Sequence, residues 1–153
     1  MATVYRISEE LFDDSFDLIA LHSNMECYAL AYSLNQAAQL RLVRTEKDLE
    51  KETLSYPMYE YKDDINGEEW YLVSNVVHAE ERDKNEGLFD TGISVKSNYL
   101  LQERKEINYF LKLYPEDSVD INKTINAIRS IPKVSMAYQL KVDDLKSKRN
   151  LIF

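Results

Sequence analysis

The sequence predicts an α+β fold, a two-layer sandwich in which a mixed or antiparallel sheet carries two helices on one face. Two segments have apolar residues at helical spacing, and strand-like segments lie on either side of each. Asn66 and Gly67 mark a tight hairpin between two further strands. The resulting order, β-α-β, hairpin, β-α-β, resembles a ferredoxin-like fold. Right-handed crossovers would place both helices on the same face of the sheet.

The first half of the chain begins with an apolar strand, residues 16–21. Ser23 and Glu26 have the spacing of a capping box, and the apolar stripe that follows predicts a helix over about residues 25–39. Residues 40–44 are expected to form a short strand, and the charged residues 45–53 a connector.

The hairpin joins residues 54–61 to residues 70–77. If Asn66 and Gly67 are its two loop residues, Ile65 lies opposite Glu68. Alternation along the strands then divides the large side chains between two faces. One face carries Tyr59, Tyr61, Trp70 and Leu72, and the other carries Tyr56, Met58, Tyr71 and Val73.

The second half begins with residues 78–98, which are expected to form a long mobile loop in which Ile93–Val95 pair as a short strand. Residues 107–114 are predicted to form a strand with Ile107, Tyr109, Leu111 and Leu113 on one face. A second helix, capped by Asp117 or Ser118, ends before Pro132. Residues 134–142 form the last strand, and 143–153 a basic tail with an apolar end.

Composition predicts one domain, residues 1–153, located in the cytoplasm. The net charge of −8 argues against nucleic acid and anionic membranes, because binding phosphate requires clustered cations. The chain contains no apolar run long enough for a membrane span and no signal-peptide pattern. Its single cysteine excludes an intrachain disulfide and a zinc cluster.

Residues Leu101-Gln102-Glu103-Arg104-Lys105-Glu106-Ile107-Asn108-Tyr109 resemble the pattern of the bacterial IPExxxVDY family. Glu103 and Tyr109 match the pattern, Leu101 and Ile107 are conservative replacements, and Gln102 and Asn108 stand where the pattern has Pro and Asp. The resemblance implies a small intracellular bacterial protein and gives no activity. An architectural role is expected for the motif, with Glu103 capping a turn or pairing with a cation.

The sequence predicts no catalytic site, metal site or cofactor. Cys27 and His22 could form a thiol–imidazole pair, but Cys27 belongs to the apolar stripe of a helix, which favours core packing. The acidic residues at the hairpin tip do not fit an EF-hand register around Gly67. Whether the protein is an enzyme is left open, with catalysis disfavoured.

The hairpin provides the main functional hypothesis. Helices cover only one face of a two-layer sheet, so one set of large side chains should remain exposed and bind a partner. We expect Tyr59, Tyr61, Trp70 and Leu72 to contact a second copy or another cytoplasmic protein. Alternatively, the 78–98 loop or Leu151-Ile152-Phe153 covers the open face, or a ligand sensor or enzyme has its pocket under that loop. RNA binding on this face is disfavoured by the acidic residues beside it.

Overall fold

The computed structural model describes residues 15–82 and 93–153. The first half contains one helix and six strands: β1 (Asp17–Ser23), α1 (Cys27–Ala38), β2 (Val43–Arg44), β3 (Leu49–Lys51), β4 (Leu54–Tyr56), β5 (Met58–Asp63) and β6 (Glu68–Ser74). The second half contains one helix and four strands: β7 (Val76–Arg82), β8 (Ile93–Tyr99), β9 (Tyr109–Tyr114), α2 (Ile121–Arg129) and β10 (Val134–Leu140). Short 3-10 helices occupy Gln102–Arg104, Val142–Asp144 and Lys148–Leu151.

Six strands form one antiparallel sheet in the order β10-β1-β9-β6-β5-β2. Helix α2 connects β9 to β10 across β1, and α1 leads from β1 to β2 at the far end of the sheet. Both helices pack on one face, where Leu30, Leu34 and Ile128 meet Leu72 and Leu111. The prediction of an α+β fold with a mostly antiparallel sheet and two helices is therefore confirmed. The predicted element order is incomplete, because it lacks the two-stranded sheets β3–β4 and β7–β8.

The opposite face of the sheet is also covered. Side chains from the segment before β9 and from the C-terminal segment pack on it: Leu100, Leu101, Ile107, Leu145 and Leu151. They bury Phe16, which precedes β1, and the sheet residues Leu18, Ala20, Val73 and Phe110. The C-terminal residues thus cover this face, as the alternative interpretation of the sequence expected.

Lys112 lies on this second face although its neighbours are apolar. Its side chain is buried, and its Nζ donates a hydrogen bond to the backbone oxygen of Leu151 at 2.9 Å. The rings of Phe16 and Phe153 lie 4.6 and 4.3 Å from the same nitrogen, which is cation–π geometry. The ammonium group therefore anchors the C-terminal segment to the sheet.

The hairpin register differs from the predicted one. Asp63 lies opposite Glu68, so the loop has four residues instead of two. The Asp63 carboxylate accepts hydrogen bonds from the backbone N–H groups of Ile65 and Asn66, an Asx turn that extends the loop. A shift of two residues preserves the faces, so Tyr59, Tyr61, Trp70 and Leu72 do share one face.

Other predicted elements also change. Helix α1 begins after Glu26 without a side-chain cap; Ser23 lies too far ahead of this start, and its hydroxyl accepts from the Met25 N–H and donates to the Lys133 carbonyl at 2.9 Å. Asp120, not Asp117 or Ser118, caps α2 through the Lys123 N–H. Within the predicted connector, residues 49–51 form β3, and residues 40–42 do not join β2.

The predicted 78–98 loop is wrong for residues 78–82 and 93–98, which form the ribbon β7–β8. The expected short strand at Ile93–Val95 is confirmed as part of β8. Residues 83–92 lie outside the described part of the chain. Contrary to the prediction, Ile107 and Tyr109 do not share one face. Ile107 packs on the second face and Tyr109 packs under the helices.

Asn75 connects β6 to the segment that covers the second face. This side chain is 0% exposed. Its amide nitrogen donates to the carbonyls of Arg104 and Ile107, and its Oδ1 accepts from the Leu101 N–H at 2.8 Å. Its own backbone N–H and C=O bond to Asn108 and Leu100. Every polar group of Asn75 therefore holds residues 100–108 in place.

We expect Asn75→Ala to lower the free energy of unfolding by about 2–4 kcal/mol, because it leaves buried donors and acceptors unpaired. Urea denaturation followed by circular dichroism measures this change. The matched control is Asn98→Ala, since within the described part of the chain the Asn98 amide makes a single exposed bond, of 3.4 Å, to the Lys96 carbonyl. Equal effects of the two substitutions would contradict the role of Asn75.

Candidate functional site

The predicted partner-binding residues lie beneath the helices. Trp70 is 3% exposed and Leu72 is 0% exposed, and both belong to the core formed with α1 and α2. Tyr59 and Tyr61 are half-buried against the same core. The expectation of an open aromatic face is therefore wrong, since the helices cover one face and residues 100–107 and 145–151 cover the other. Trp70 and Leu72 offer no surface to a partner.

The predicted pocket beside residues 78–98 corresponds to a small cavity. Its volume is about 220 Å³, and Asn98, Tyr99, Tyr56 and Asn150 are among its lining residues. Small-molecule sites usually enclose about 300–1,000 Å³. This cavity is therefore a poor candidate for the ligand site.

Cys27 and His22 do not form a catalytic pair. His22 Nε2 lies 2.9 Å from the Tyr138 hydroxyl, which also accepts a hydrogen bond from Arg104. Burial raises the pKa of the Cys27 thiol to about 11, with Arg44 acting in the opposite direction. A thiol with this pKa stays protonated at neutral pH, so Cys27 is no activated nucleophile.

The acidic hairpin tip is organised by hydrogen bonds within the turn. The Asn66 side-chain amide donates to Asp63, and this bond together with the Asn66 backbone N–H holds the pKa of Asp63 below its usual value. Among residues 15–82 and 93–153, no three His, Cys, Asp or Glu side chains are grouped as a metal site would require. These residues stabilise the turn.

A larger cleft lies where β1 ends and α1 begins. Its volume is about 710 Å³, within the range of ligand-binding sites. Three separate stretches of the chain contribute its walls: His22, Ser23, Asn24, Met25, Glu26, Tyr28, Ala29, then Asn108, then Lys133 and Ser135. The site therefore depends on tertiary packing between β1, α1, the start of β9 and the start of β10.

Hydrogen bonds fix the walls of this cleft. The Ser23 N–H donates to Asn108 Oδ1 at 2.8 Å, and the Ser135 hydroxyl donates to the His22 carbonyl at 3.0 Å. The Tyr109 hydroxyl donates to the Met25 carbonyl at 2.6 Å, which holds the turn before α1. Since these bonds lie within one subunit, the cleft is formed before any ligand binds.

Residues 101–109, which resemble the family pattern, support the cleft wall through Tyr138. Arg104 donates to Glu106 and to the Tyr138 hydroxyl, and Tyr138 contacts His22 at the cleft wall. The Arg104 contact holds the pKa of Glu106 below its usual value. Sequence reasoning treated this segment as architectural and did not find Asn108 as a cleft residue. In the sequence, the one indication that Asn108 has a functional position is that it directly precedes Tyr109.

Glu103 connects the motif to the C-terminal segment. Its carboxylate accepts hydrogen bonds from the Ser147 N–H at 2.7 Å and from the Ser147 hydroxyl at 2.8 Å. Burial acts to raise the pKa of Glu103, but the bonds from Ser147 outweigh it and the pKa is lowered. This contact agrees with the prediction that Glu103 caps a turn.

Comparisons of the chain with protein-family models, curated proteins and solved structures find no match. The resemblance of residues 101–109 to the IPExxxVDY pattern therefore stays a prediction. None of the helices in the described ranges is long and apolar enough to cross a membrane.

We expect the Cys27 thiol to react with 5,5′-dithiobis(2-nitrobenzoate) at pH 8 about 100-fold more slowly in the folded protein than in urea. The reason is that a pKa near 11, against 9.0 for a free thiol, lowers the thiolate fraction by two orders of magnitude. The unfolded chain loses this proton first as pH rises. The free energy of unfolding, relative to Cys27→Ala, should therefore decrease from pH 9 toward pH 11. Equal reaction rates in both states would contradict the burial of the thiol.

Proposed function

We propose that this protein is a binding module that holds a ligand in the cleft between β1, α1 and β10 without catalysing its conversion. The observation that carries the proposal is a cleft of about 710 Å³ whose walls are fixed by internal hydrogen bonds. A preformed site binds with little loss of conformational entropy.

The side chains that line the cleft favour binding over covalent chemistry. Ser23 and Ser135 use their hydroxyl groups for backbone carbonyls, so neither is paired with a general base. Nucleophilic catalysis requires such a base or a lowered pKa, and burial raises the pKa of the neighbouring Cys27. The resemblance to the IPExxxVDY pattern supports placing this module in the bacterial cytoplasm.

A screen of small molecules by ¹H–¹⁵N NMR tests the proposal. We expect binders to shift the amide resonances of residues in and next to the cleft, at 22–29, 108 and 133–135. Ala29→Trp should abolish these shifts, because a large side chain then fills the cleft.

The matched control is Ser33→Trp, one turn further along α1 and outside the cleft lining. It should retain ligand binding. Shifts that cluster elsewhere, or that survive Ala29→Trp in a folded protein, would overturn the assignment of the cleft.

A second candidate function is protein binding through α1. Tyr28 and Tyr32 are 68% and 64% exposed and lie four residues apart on one face of the helix. Tyrosine is enriched at protein interfaces, and Tyr28 also borders the cleft. We propose that this surface contacts a second copy or another cytoplasmic protein.

Sedimentation equilibrium over a range of concentrations tests self-association. Tyr28→Ser with Tyr32→Ser should weaken any dimer at least about tenfold, as expected for the loss of interface aromatics. The control combines Val43→Ser and Val95→Ser, which remove two comparably exposed apolar side chains elsewhere. A strict monomer at every concentration would overturn the dimer.

A further inference from the structure

We infer that the cleft selects a ligand with a single carboxylate, which Asn108 and Lys133 bind. This inference rests on the proposed binding function and adds the chemical class of the ligand. It follows from three features: a rigid amide donor, an unpaired cation and an adjoining apolar wall.

The rigid donor is the side-chain amide of Asn108. Its backbone N–H donates to the Leu21 carbonyl, its backbone oxygen accepts from the Asn75 N–H, and its Oδ1 accepts from the Ser23 N–H. These three bonds fix the residue and identify Oδ1 as the acceptor. Nδ2 has no hydrogen-bond partner within residues 15–82 and 93–153, and Asn108 lines the cleft. Nδ2 is thus left as a donor for a ligand acceptor.

The cation is Lys133. Its backbone carbonyl is held by the Ser23 hydroxyl at 2.9 Å, so the residue is tied to the cleft wall. Its ammonium group makes no ion pair with any residue in the part of the chain that the structure describes. Asn108 and Lys133 both line the cleft. An amide donor and a lysine beside one cleft suit an anion, because hydrogen bonds to charged acceptors are the stronger ones.

The charge balance favours one carboxylate over a phosphate dianion. Among residues 15–82 and 93–153, Lys133 is the only Lys or Arg that lines the cleft, and Glu26 lines it too. The chain also carries a net charge of −8, which opposes highly charged anions. Met25, Tyr28 and Ala29 supply apolar surface beside the charged groups. A carboxylate attached to an apolar or aromatic group matches these walls.

Two sources carry this chemistry: a small carboxylic acid and the C-terminal carboxylate of a peptide. Isothermal titration calorimetry separates them with four probes. These are 3-phenylpropionate, its neutral amide, acetyl-Ala-Phe with a free C-terminus, and the same peptide amidated. Each free acid should bind at least about tenfold more tightly than its amide, as expected for the loss of a charged hydrogen bond. The tighter of the two acids identifies the source.

Asn108→Asp is the sharpest variant, since Asp can still accept from the Ser23 N–H but presents an anion to the cleft. It should weaken binding of the acids at least about tenfold and leave binding of the amides little changed. Lys133→Met should act in the same direction, and Glu26→Gln should tighten binding of the acids. Lys123→Met, an exposed position on α2 outside the cleft, is the control for loss of one positive charge.

The outcomes separate the two proposals. Neutral or cationic compounds that bind in the cleft while acids do not would overturn the carboxylate inference and leave the binding module intact. Cleft binding of acids that is insensitive to Asn108→Asp in a folded protein would also overturn the inference. If no compound binds in the cleft and Ala29→Trp changes nothing, both proposals fail.

Discussion

The buried amide of Asn75 is the constraint on which the rest of the structure depends. A polar side chain at 0% exposure is tolerated only when all of its hydrogen-bonding groups are paired. Its partners all come from residues 100–108, so this segment must lie across the end of β6. Leu101 and Ile107 then cover the second face of the sheet, and the same segment delivers Asn108 to the cleft. One set of hydrogen bonds thus determines both the core and the candidate site.

The motif in residues 101–109 has a physical explanation in this arrangement. Leu101 and Ile107 are buried, Glu103 holds Ser147 of the C-terminal segment, and Tyr109 holds the turn before α1. Asn108 accepts a hydrogen bond from the Ser23 N–H, a task that an Asp at this position would perform equally well. Asn108 thus makes this hydrogen bond and in addition carries an amide donor at a position that lines the cleft.

Local patterns in the sequence predicted the two helices, the hairpin and the division of its side chains between two faces. They missed the hairpin register because the Asp63 carboxylate, a side-chain effect, extends the turn by two residues. They missed the burial of Trp70 and Leu72 because alternation along the hairpin does not tell which of its two faces lies under the helices, and these residues lie there. The second cover consists of irregular segments and 3-10 helices, whose apolar residues have no regular period.

The cleft could not be predicted because its walls are distant in sequence: Ser23 contacts Asn108 across 85 positions and Lys133 across 110. The capping box expected for Ser23 does not form: the helix begins at Cys27, and the Ser23 hydroxyl donates to the Lys133 carbonyl and accepts from the Met25 N–H. The local pattern therefore did not set the start of the helix. Departures from the structure that the local sequence favours are found mostly at functional sites, because residues there are placed to form a binding surface. Ser23, where the predicted capping box is absent, forms the cleft wall beside Asn108 and Lys133. This observation supports a functional role for the cleft in addition to the cleft's volume.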